Sequence, residues 1–459
     1  MGALTLKSFP FELRGWDIEK FESLDPTDSF GSNVRVYVSK DQIVLIEPDY
    51  NVNTFNTWLT DKGRQFFDGI FGSWNPDKKN DTLKPKFWPN ILKSIIETVY
   101  ILDHCNKQQL KKKYVTIVFE NLSLEVLNIL LLLSQNYSFI QLRRAENYKT
   151  PNDLEETFQL NVASDKIKLK NSTLCLLVSS NPRYEGYYLN LNIRRRFFKG
   201  NFKCLAIGSL IDLTYPVTFL GSNVNILKSI AEGNSLVCQD LKAAKFPQII
   251  FNNELFRRND GNTLHQILKN INFFSNGKFN GLNMLSSSLC ENGANMSTKF
   301  PPLTLKDLNS SSLLYFINVT TNNVANLKKI TELNLLNYSL MKQKNNSDRL
   351  ILDQNYKKSQ NYDLANKLTS NTLNPNSYTH IPTSVFYEND ETFINTEGYI
   401  KRTTKLISKK QTRNNRQIIR KILKHLKKNF VSLESKNNQL IFLNSNKIVD
   451  FKNLTNFHY

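Results

Sequence analysis

The chain is short of cysteine motifs, of glycine and proline, and of long apolar runs, and each shortage closes off a class of function. Its five cysteines, Cys105, Cys175, Cys204, Cys238 and Cys290, stand far apart and form no CxxC or clustered spacing. The residues alone therefore nominate neither a zinc site nor an iron–sulfur cluster. Cys175 and Cys204 fall inside apolar runs, where a free thiol acts as a small core residue, and a reducing compartment disfavours disulfides. The five histidines are equally dispersed and imply no metal site. The longest apolar block, 126–133, is interrupted by Asn128 and is far too short to cross a bilayer, so no direct membrane span is expected. The first residues carry no cleavable signal and no Arg/Ser-rich presequence.

Glycine (16) and proline (14) are scarce where Phe (30) and Tyr (18) are plentiful. Residues with A/T-rich codons are over-used, as in an organelle genome whose base composition has drifted. Sixty basic against forty acidic residues give a formal charge of +20, which invites a nucleic-acid reading. The basic residues argue against it: they are scattered among Asn, Phe, Tyr and Ile instead of forming one stripe with aromatic platforms. A basic surface also suits an acidic protein partner. At 459 residues and 40% apolar content, the chain can bury a large core and hold two or more subdomains.

The stretch 173–215 organises the rest. Residues 173–178 (TLCLLV) are an unbroken apolar run, as in a strand buried on both faces, and Ser179-Ser180-Asn181-Pro182 is turn chemistry that ends it. Residues 186–198 alternate apolar and basic residues at helical spacing, and Gly200-Asn201 stops them. Residues 202–207 are a second apolar strand closed by Gly208-Ser209. Strand, helix, strand in so short a span predicts a right-handed βαβ unit with parallel strands.

The wording SSNPRYEGYYLNLNIRR followed by LAIGSLIDLTY resembles the molybdopterin-oxidoreductase-like, C-terminal part of the largest iron–sulfur subunit of mitochondrial complex I. Other markers follow the same family. Gly2-Ala3-Leu4-Thr5 resembles the sequence directly after the family's last N-terminal cluster cysteine, so the resemblance implies a split subunit whose cluster-binding domains lie on another polypeptide. Phe11, Arg14, Trp16 and Asp17, then Glu22-Ser23-Leu24-Asp25, match further family steps, as do Gly31-Ser32-Asn33 and Arg257-Arg258-Asn259-Asp260-Gly261. Residues 385–403 carry the family's Asn-Thr-Glu-Gly, here Asn395, Thr396, Glu397 and Gly398. Where redox-active relatives place a cluster cysteine just before a Lys-Gly-Arg, this chain has Thr60-Asp61 before Lys62-Gly63-Arg64, and a surface turn leading into a helix at 65–70 is expected.

Between the markers, Val34, Val36 and Val38 alternate with polar residues, and 43–46 returns as the second strand of a hairpin. A Lys/Asn/Pro linker (75–86) precedes an apolar helical stripe over 88–105. A strand at 114–119, a helix from Leu124 to Ser134 with Ser123 as N-cap, and a strand at 139–142 continue the alternation into the 173–207 unit, which predicts a doubly wound parallel sheet. A helix at 223–233, strands at 248–251 and 313–318, and an amphipathic helix at 416–426 complete the reading, with 341–380 as a long diverged loop. The expected fold class is α/β, a molybdopterin oxidoreductase-like fold with a Rossmann-like parallel sheet and a small N-terminal antiparallel β subdomain. The expected divisions are 1–75 (small β subdomain), 85–275 (Rossmann-like domain), 276–430 (second α/β part) and 431–459 (tail).

In catalytic relatives the turns after the parallel strands cradle molybdopterin guanine dinucleotides. Here the resemblance implies only a vestigial crevice made of Asn181, Arg183, Asp212, Asn395, Glu397 and Gly398, with no cofactor bound. No Gly-rich phosphate loop follows Val178, and no Cys or Ser metal ligand can be singled out. No catalytic and no metal-ligating residue is nominated. The resemblance implies a non-catalytic subunit fragment of the complex I peripheral arm, on the matrix side of the mitochondrial inner membrane and mitochondrially encoded. Its implied partners are an N-terminal fragment bearing 2Fe-2S and 4Fe-4S clusters and the NADH-binding and quinone-module subunits. Two other classes stand beside it: an active molybdopterin oxidoreductase fragment, and a basic organellar nucleic-acid-binding protein.

Overall fold

The computed structural model of the chain describes residues 14–40, 42–49, 58–67, 114–145, 169–210, 212–276, 281–297, 300–319, 350–354, 378–381, 383–407, 413–425, 439–440 and 449–450, with Thr5 and Phe9. The helix read over 88–105, the linker at 75–86, Cys105 and most of the tail 431–459 lie outside the described residues. The chain falls into two compact units. One comprises Met1–Phe67, Tyr148–Lys299 and Asp390–Leu406; the other comprises Asp68–Asn147, Phe300–Asn389 and Ile407–Tyr459.

In chain order the strands are β1 (Glu19–Leu24), β2 (Asn33–Ser39), β3 (Gln42–Pro48), β4 (Tyr114–Phe119), β5 (Ile140–Arg144), β6 (Leu174–Val178), β7 (Lys203–Ile207), β8 (Thr218–Gly221), β9 (Gln248–Asn252), β10 (Leu282–Leu285), β11 (Ser311–Ile317), β12 (Leu350–Gln354), β13 (Tyr378–Ile381), β14 (Thr392–Ile394) and β15 (Ile400–Arg402). The helices named below are α1 (Asp61–Gln65), α2 (Leu124–Asn136), α3 (Pro182–Glu185), α4 (Tyr187–Phe198) and α5 (Gly261–Asn276), with α6 (Asn415–His425) near the carboxyl end.

In the first unit β1, β2 and β3 form the small antiparallel sheet, and Val34, Val36 and Val38 are its buried face. The larger sheet runs β10-β9-β6-β7-β8 with every pairing parallel. Its central strand explains the apolar run that carries it. Leu174, Leu176 and Val178 point to one face, where they pack with Leu227, Ile230, Leu241 and the apolar side of α5. Cys175 and Leu177 point to the other, under Leu189 and Ile193 of α4. A strand covered on both faces has no solvent side to mark with polar residues. The chain leaves β6 and steps to β7 and β8 on one side, then returns to β9 and β10 on the other, so the order of strands reverses between β6 and β9.

Several expectations shift. The alternation over 114–142 does not join the sheet of β6: β4 and β5 belong to a second five-stranded parallel sheet, β13-β12-β11-β4-β5, in the other unit. Apolar runs report burial, not which sheet they enter. The stretch expected as a loop at 341–380 contributes β12 and β13 to that sheet. Where a helix was expected at 65–70, the described residues show α1 ending at Gln65, with Thr60 accepting the Gly63 N–H at 3.0 Å, and 68–70 lie outside the described residues. Ser123 stands at the N-cap position of α2, but its side chain makes no capping hydrogen bond. The helix read from Gly186 is preceded by the short α3, and Gly186 separates the two because a side chain there would meet the ring of Phe30 at 2.8 Å.

Ile193 is fully buried in the face covered by α4, whereas Phe198 on the same helix is 67% exposed. Ile193→Ala is expected to lower stability by about 2–4 kcal/mol and Phe198→Ala by less than about 0.5 kcal/mol, read from urea unfolding of the full chain. Equal losses would show that α4 is not held by that face.

Candidate functional site

The carboxyl ends of β6 and β9 flank the point where strand order reverses, which is where open parallel sheets hold ligands. Two backbone features shape it. Ser179 takes a left-handed conformation (φ 48°) and donates its N–H to Ile207 O at 2.8 Å, closing the ends of β6 and β7 against each other. Gly208 follows at φ 135°, and a β-carbon there would sit 3.2 Å from the Cα of Ser179. The Ile-Gly-Ser step is thus required by backbone approach.

Beyond that pinch, α3 starts with Asn181 in the N-cap position and Pro182 at its first turn. The Asn181 N–H donates to Glu185 Oε2 at 3.0 Å. Glu185 therefore closes the turn from inside. Burial pushes its carboxyl up from 4.5 to about 7; the Asn181 N–H and the Asn252 side chain offset part of this, and the neighbouring Glu254 and Glu291 add to it. Glu291 accepts from the Asn253 side-chain amide and from Ser287 N–H, the latter at 3.2 Å. Asn292, the next residue, accepts from the Ser286 hydroxyl and donates to Thr396 Oγ1 at 3.3 Å.

The six residues expected to line a crevice fall into local groups. Asn181 is held by Glu185. Arg183 donates to Asp212 Oδ2 at 3.0 Å and to Asp212 O at 3.1 Å, an exposed pair screened by solvent. The Thr214 N–H, ahead of Arg183, holds the Asp212 carboxyl below its ordinary value. Asn395, Glu397 and Gly398 form the turn between β14 and β15, with Gly398 at φ 84°. Asn395 is buried; its Oδ1 accepts Tyr399 N–H at 2.8 Å, and its Nδ2 donates to Phe30 O at 3.2 Å and Glu397 Oε2 at 3.3 Å. Ser29 links this turn to α3: its hydroxyl donates to Glu185 O at 3.1 Å, and its carbonyl accepts the Thr396 N–H at 3.1 Å.

Glu185, Asn252, Asn253 and Glu291 were not singled out from the sequence. The signal for them was modest: polar residues at the ends of apolar strands, in YEG, FNN and SSSLCEN.

The donor set does not fit a pterin dinucleotide. A phosphate needs free N–H groups, but Pro182 has none and the Asn181 N–H is taken by a carboxylate. Glu185 and the buried Glu291 near it would repel it further. Nor do residues 18–68 fit a 4Fe-4S cluster, since they contain no cysteine and the Thr60 hydroxyl is engaged as a helix cap.

Known proteins resemble this chain in two stretches. Residues 76–425 match the molybdopterin oxidoreductase family, and residues 18–68 match the NADH-ubiquinone oxidoreductase NDSU1/NuoG-like, 4Fe-4S domain. The NADH-ubiquinone oxidoreductase 75 kDa subunit of Reclinomonas americana is 30% identical over 308 residues, covering 64% of this chain and 44% of that one. An NADH-quinone oxidoreductase subunit from Rickettsia felis is 29% identical over 297 residues, covering 62% and 42%. Its counterpart from Rickettsia bellii is 29% identical over 280 residues, covering 59% and 39%. The chain thus spans less than half the length of these relatives.

Because the Glu185 carboxyl holds its proton more tightly when folded, its contribution to stability is present below pH 4.5 and is lost as pH rises through about 7. Glu185→Gln keeps an acceptor for the Asn181 N–H and removes the titration. Relative to wild type it is expected to stabilise the full chain at pH 8 by on the order of 2–3 kcal/mol and to change little at pH 5. Urea unfolding at the two pH values checks this, and parallel wild-type and variant profiles would refute it.

Proposed function

The chain belongs to the molybdopterin oxidoreductase family, and from that premise we propose that it is a non-catalytic structural subunit of the peripheral arm of respiratory NADH:ubiquinone oxidoreductase, complex I. The reading is supported by the relatives, which are NADH-ubiquinone and NADH-quinone oxidoreductase subunits. The observation that carries it is the closure of the turn after β6 by Glu185, which takes the Asn181 N–H, in a chain with such relatives. An inherited fold whose ligand-holding donors are spent on its own side chains has a mechanical use, not a chemical one.

In this reading the 2Fe-2S and 4Fe-4S clusters sit on a separate partner polypeptide, the N-terminal iron–sulfur fragment of the same subunit, because the five cysteines here have no cluster spacing. Electrons from NADH to ubiquinone pass through that partner. This chain braces it against the NADH-binding and quinone-module subunits on the matrix side of the mitochondrial inner membrane. Asn181, Arg183, Asp212, Asn395, Glu397 and Gly398 are the remains of a cofactor crevice, kept for the turns and helix starts they stabilise.

The test is blue-native electrophoresis of mitochondrial membranes, with mass spectrometry and metal analysis of the NADH-oxidising band. This chain is expected there beside a cluster-bearing polypeptide, with iron and without molybdenum. Its absence from the band would sink the assignment to complex I, and stoichiometric molybdenum would overturn the non-catalytic reading.

A further inference from the structure

The amino-terminal edge of the five-stranded sheet in the first unit lies at the other end of its strands from the switch point, and several turns meet there. The Lys203 N–H opening β7 donates to Thr173 O at 2.9 Å, and the Thr173 N–H donates to Lys245 O at 3.0 Å. Lys245 returns its own N–H to the Thr173 hydroxyl at 2.8 Å. Arg196 closes the end of α4 onto the same stretch, donating to Ser172 O at 2.8 Å, Gly200 O at 2.7 Å and Asn201 O at 3.2 Å. These bonds hold the end of α4, the turn before β6, the start of β7 and the turn into β9 as one surface.

The fold uses only part of the charge gathered there. Arg196 satisfies carbonyls left over where α4 ends, at the negative pole of the helix dipole. Asp240, on the short helix Val237–Ala243, pairs with Lys203. Lys199, Lys242 and Lys245 are exposed, and among the described residues no carboxylate meets their ammonium groups. Arg194, also exposed, rests over the ring of Phe198 at 5.6 Å. That ring is 67% exposed, and Phe246, next to Lys245, is 38% exposed. Exposed aromatic rings bordered by arginine and by unpaired lysines have the make-up of a protein interface, where apolar anchors sit inside a charged rim. The excess of cations selects a partner surface of the opposite sign.

The rings favour a protein over a nucleic acid. Single strands bind by stacking bases on open aromatic faces. Here Arg194 covers one face of Phe198, which also packs at right angles to Phe197, and Arg196 lies over Phe202 at 5.3 Å. A phosphate backbone would also meet the Asp240 carboxylate set among the lysines. We propose that this edge docks an acidic segment of a partner protein, with Phe198 as its apolar anchor and Lys199, Lys242 and Lys245 pairing with the partner's carboxylates. The inference rests on the structural-subunit reading, to which it adds a contact face, and it is tested on the isolated chain so that either can fail alone.

The probe is a fluorescein-labelled peptide of glutamates interrupted by leucines, titrated with the full chain and followed by anisotropy at about 0.15 M salt. A labelled oligothymidylate of equal charge is run beside it. Wild type is expected to bind the peptide more tightly than the oligonucleotide. Joint reversal by Lys199→Glu and Lys245→Glu is expected to weaken peptide binding at least about tenfold, whereas Lys20→Glu with Lys228→Glu, the same charge change elsewhere in the unit, leaves it within about twofold. Phe198→Ala, which barely alters stability, is expected to weaken it by about threefold or more. Should the double reversal fail to fold by circular dichroism, Phe198→Ala decides alone. No peptide binding by wild type, equal losses from the two double reversals, or an unchanged Phe198→Ala would overturn the proposal. Tighter binding of the oligonucleotide would overturn it in favour of a nucleic acid.

Discussion

The first unit depends on two residues, Ser29 and Phe30, that tie together stretches distant in the chain. Ser29 reaches the end of α3 through its hydroxyl and the β14–β15 turn through its carbonyl. The carbonyl of Phe30 holds Asn395, while its ring meets Tyr188 edge-on at 5.6 Å and fills the space left by the missing side chain of Gly186. These contacts close loops of 156 and more than 360 residues. The closure cost grows only slowly with loop length, so a few buried hydrogen bonds and one aromatic anchor suffice. Leaving any of these groups buried without its partner would cost about 1–3 kcal/mol, which makes the arrangement cooperative.

That tether accounts for motifs that would otherwise imply a ligand. Asn395 is buried because it caps its own hairpin and holds Phe30. Gly208 is needed because the ends of β6 and β7 nearly touch. Neither role requires anything bound. A fold can therefore keep the wording of a cofactor-binding family after its phosphate donors are gone, since the turns answer to backbone geometry. Glu185 points the same way: it occupies the Asn181 N–H at the start of α3, a donor that a pyrophosphate there would need.

Much of this was legible in the sequence where burial alone decides structure. The runs at 114–119, 174–178, 203–207 and 248–252 are strands because each is covered on both faces, and their boundaries fall within a residue or two of the reading. Pairing was not legible. Nothing in YVTIVF distinguishes a partner of Leu174–Val178 from a partner of Ser311–Ile317, because parallel strands buried on both faces share one composition. Short strands escaped for the opposite reason: β8, β10, β14 and β15 have three or four residues each, too few for a period. At the site, Asn181 and Asn395 could be found from the family wording, while Glu185 and Glu291 could not. A carboxylate reads as surface until its burial is seen.

The net charge of +20 gives no guide to the field at the switch point. Several exposed basic residues of the first unit are met locally, as in the pairs Arg183–Asp212, Arg258–Asp260 and Arg402–Asp390. Those pairs lie in solvent, where screening confines their influence to a few ångströms. Glu185 and Glu291, by contrast, sit in or near the protein interior, where the effective dielectric is lower and each charge is felt by its neighbours, as the raised Glu185 carboxyl records. Drift towards lysine and asparagine can therefore recolour the surface while the carboxylates and amides at the strand ends go on setting the local potential. The sign of that potential decides which ligands the fold can admit.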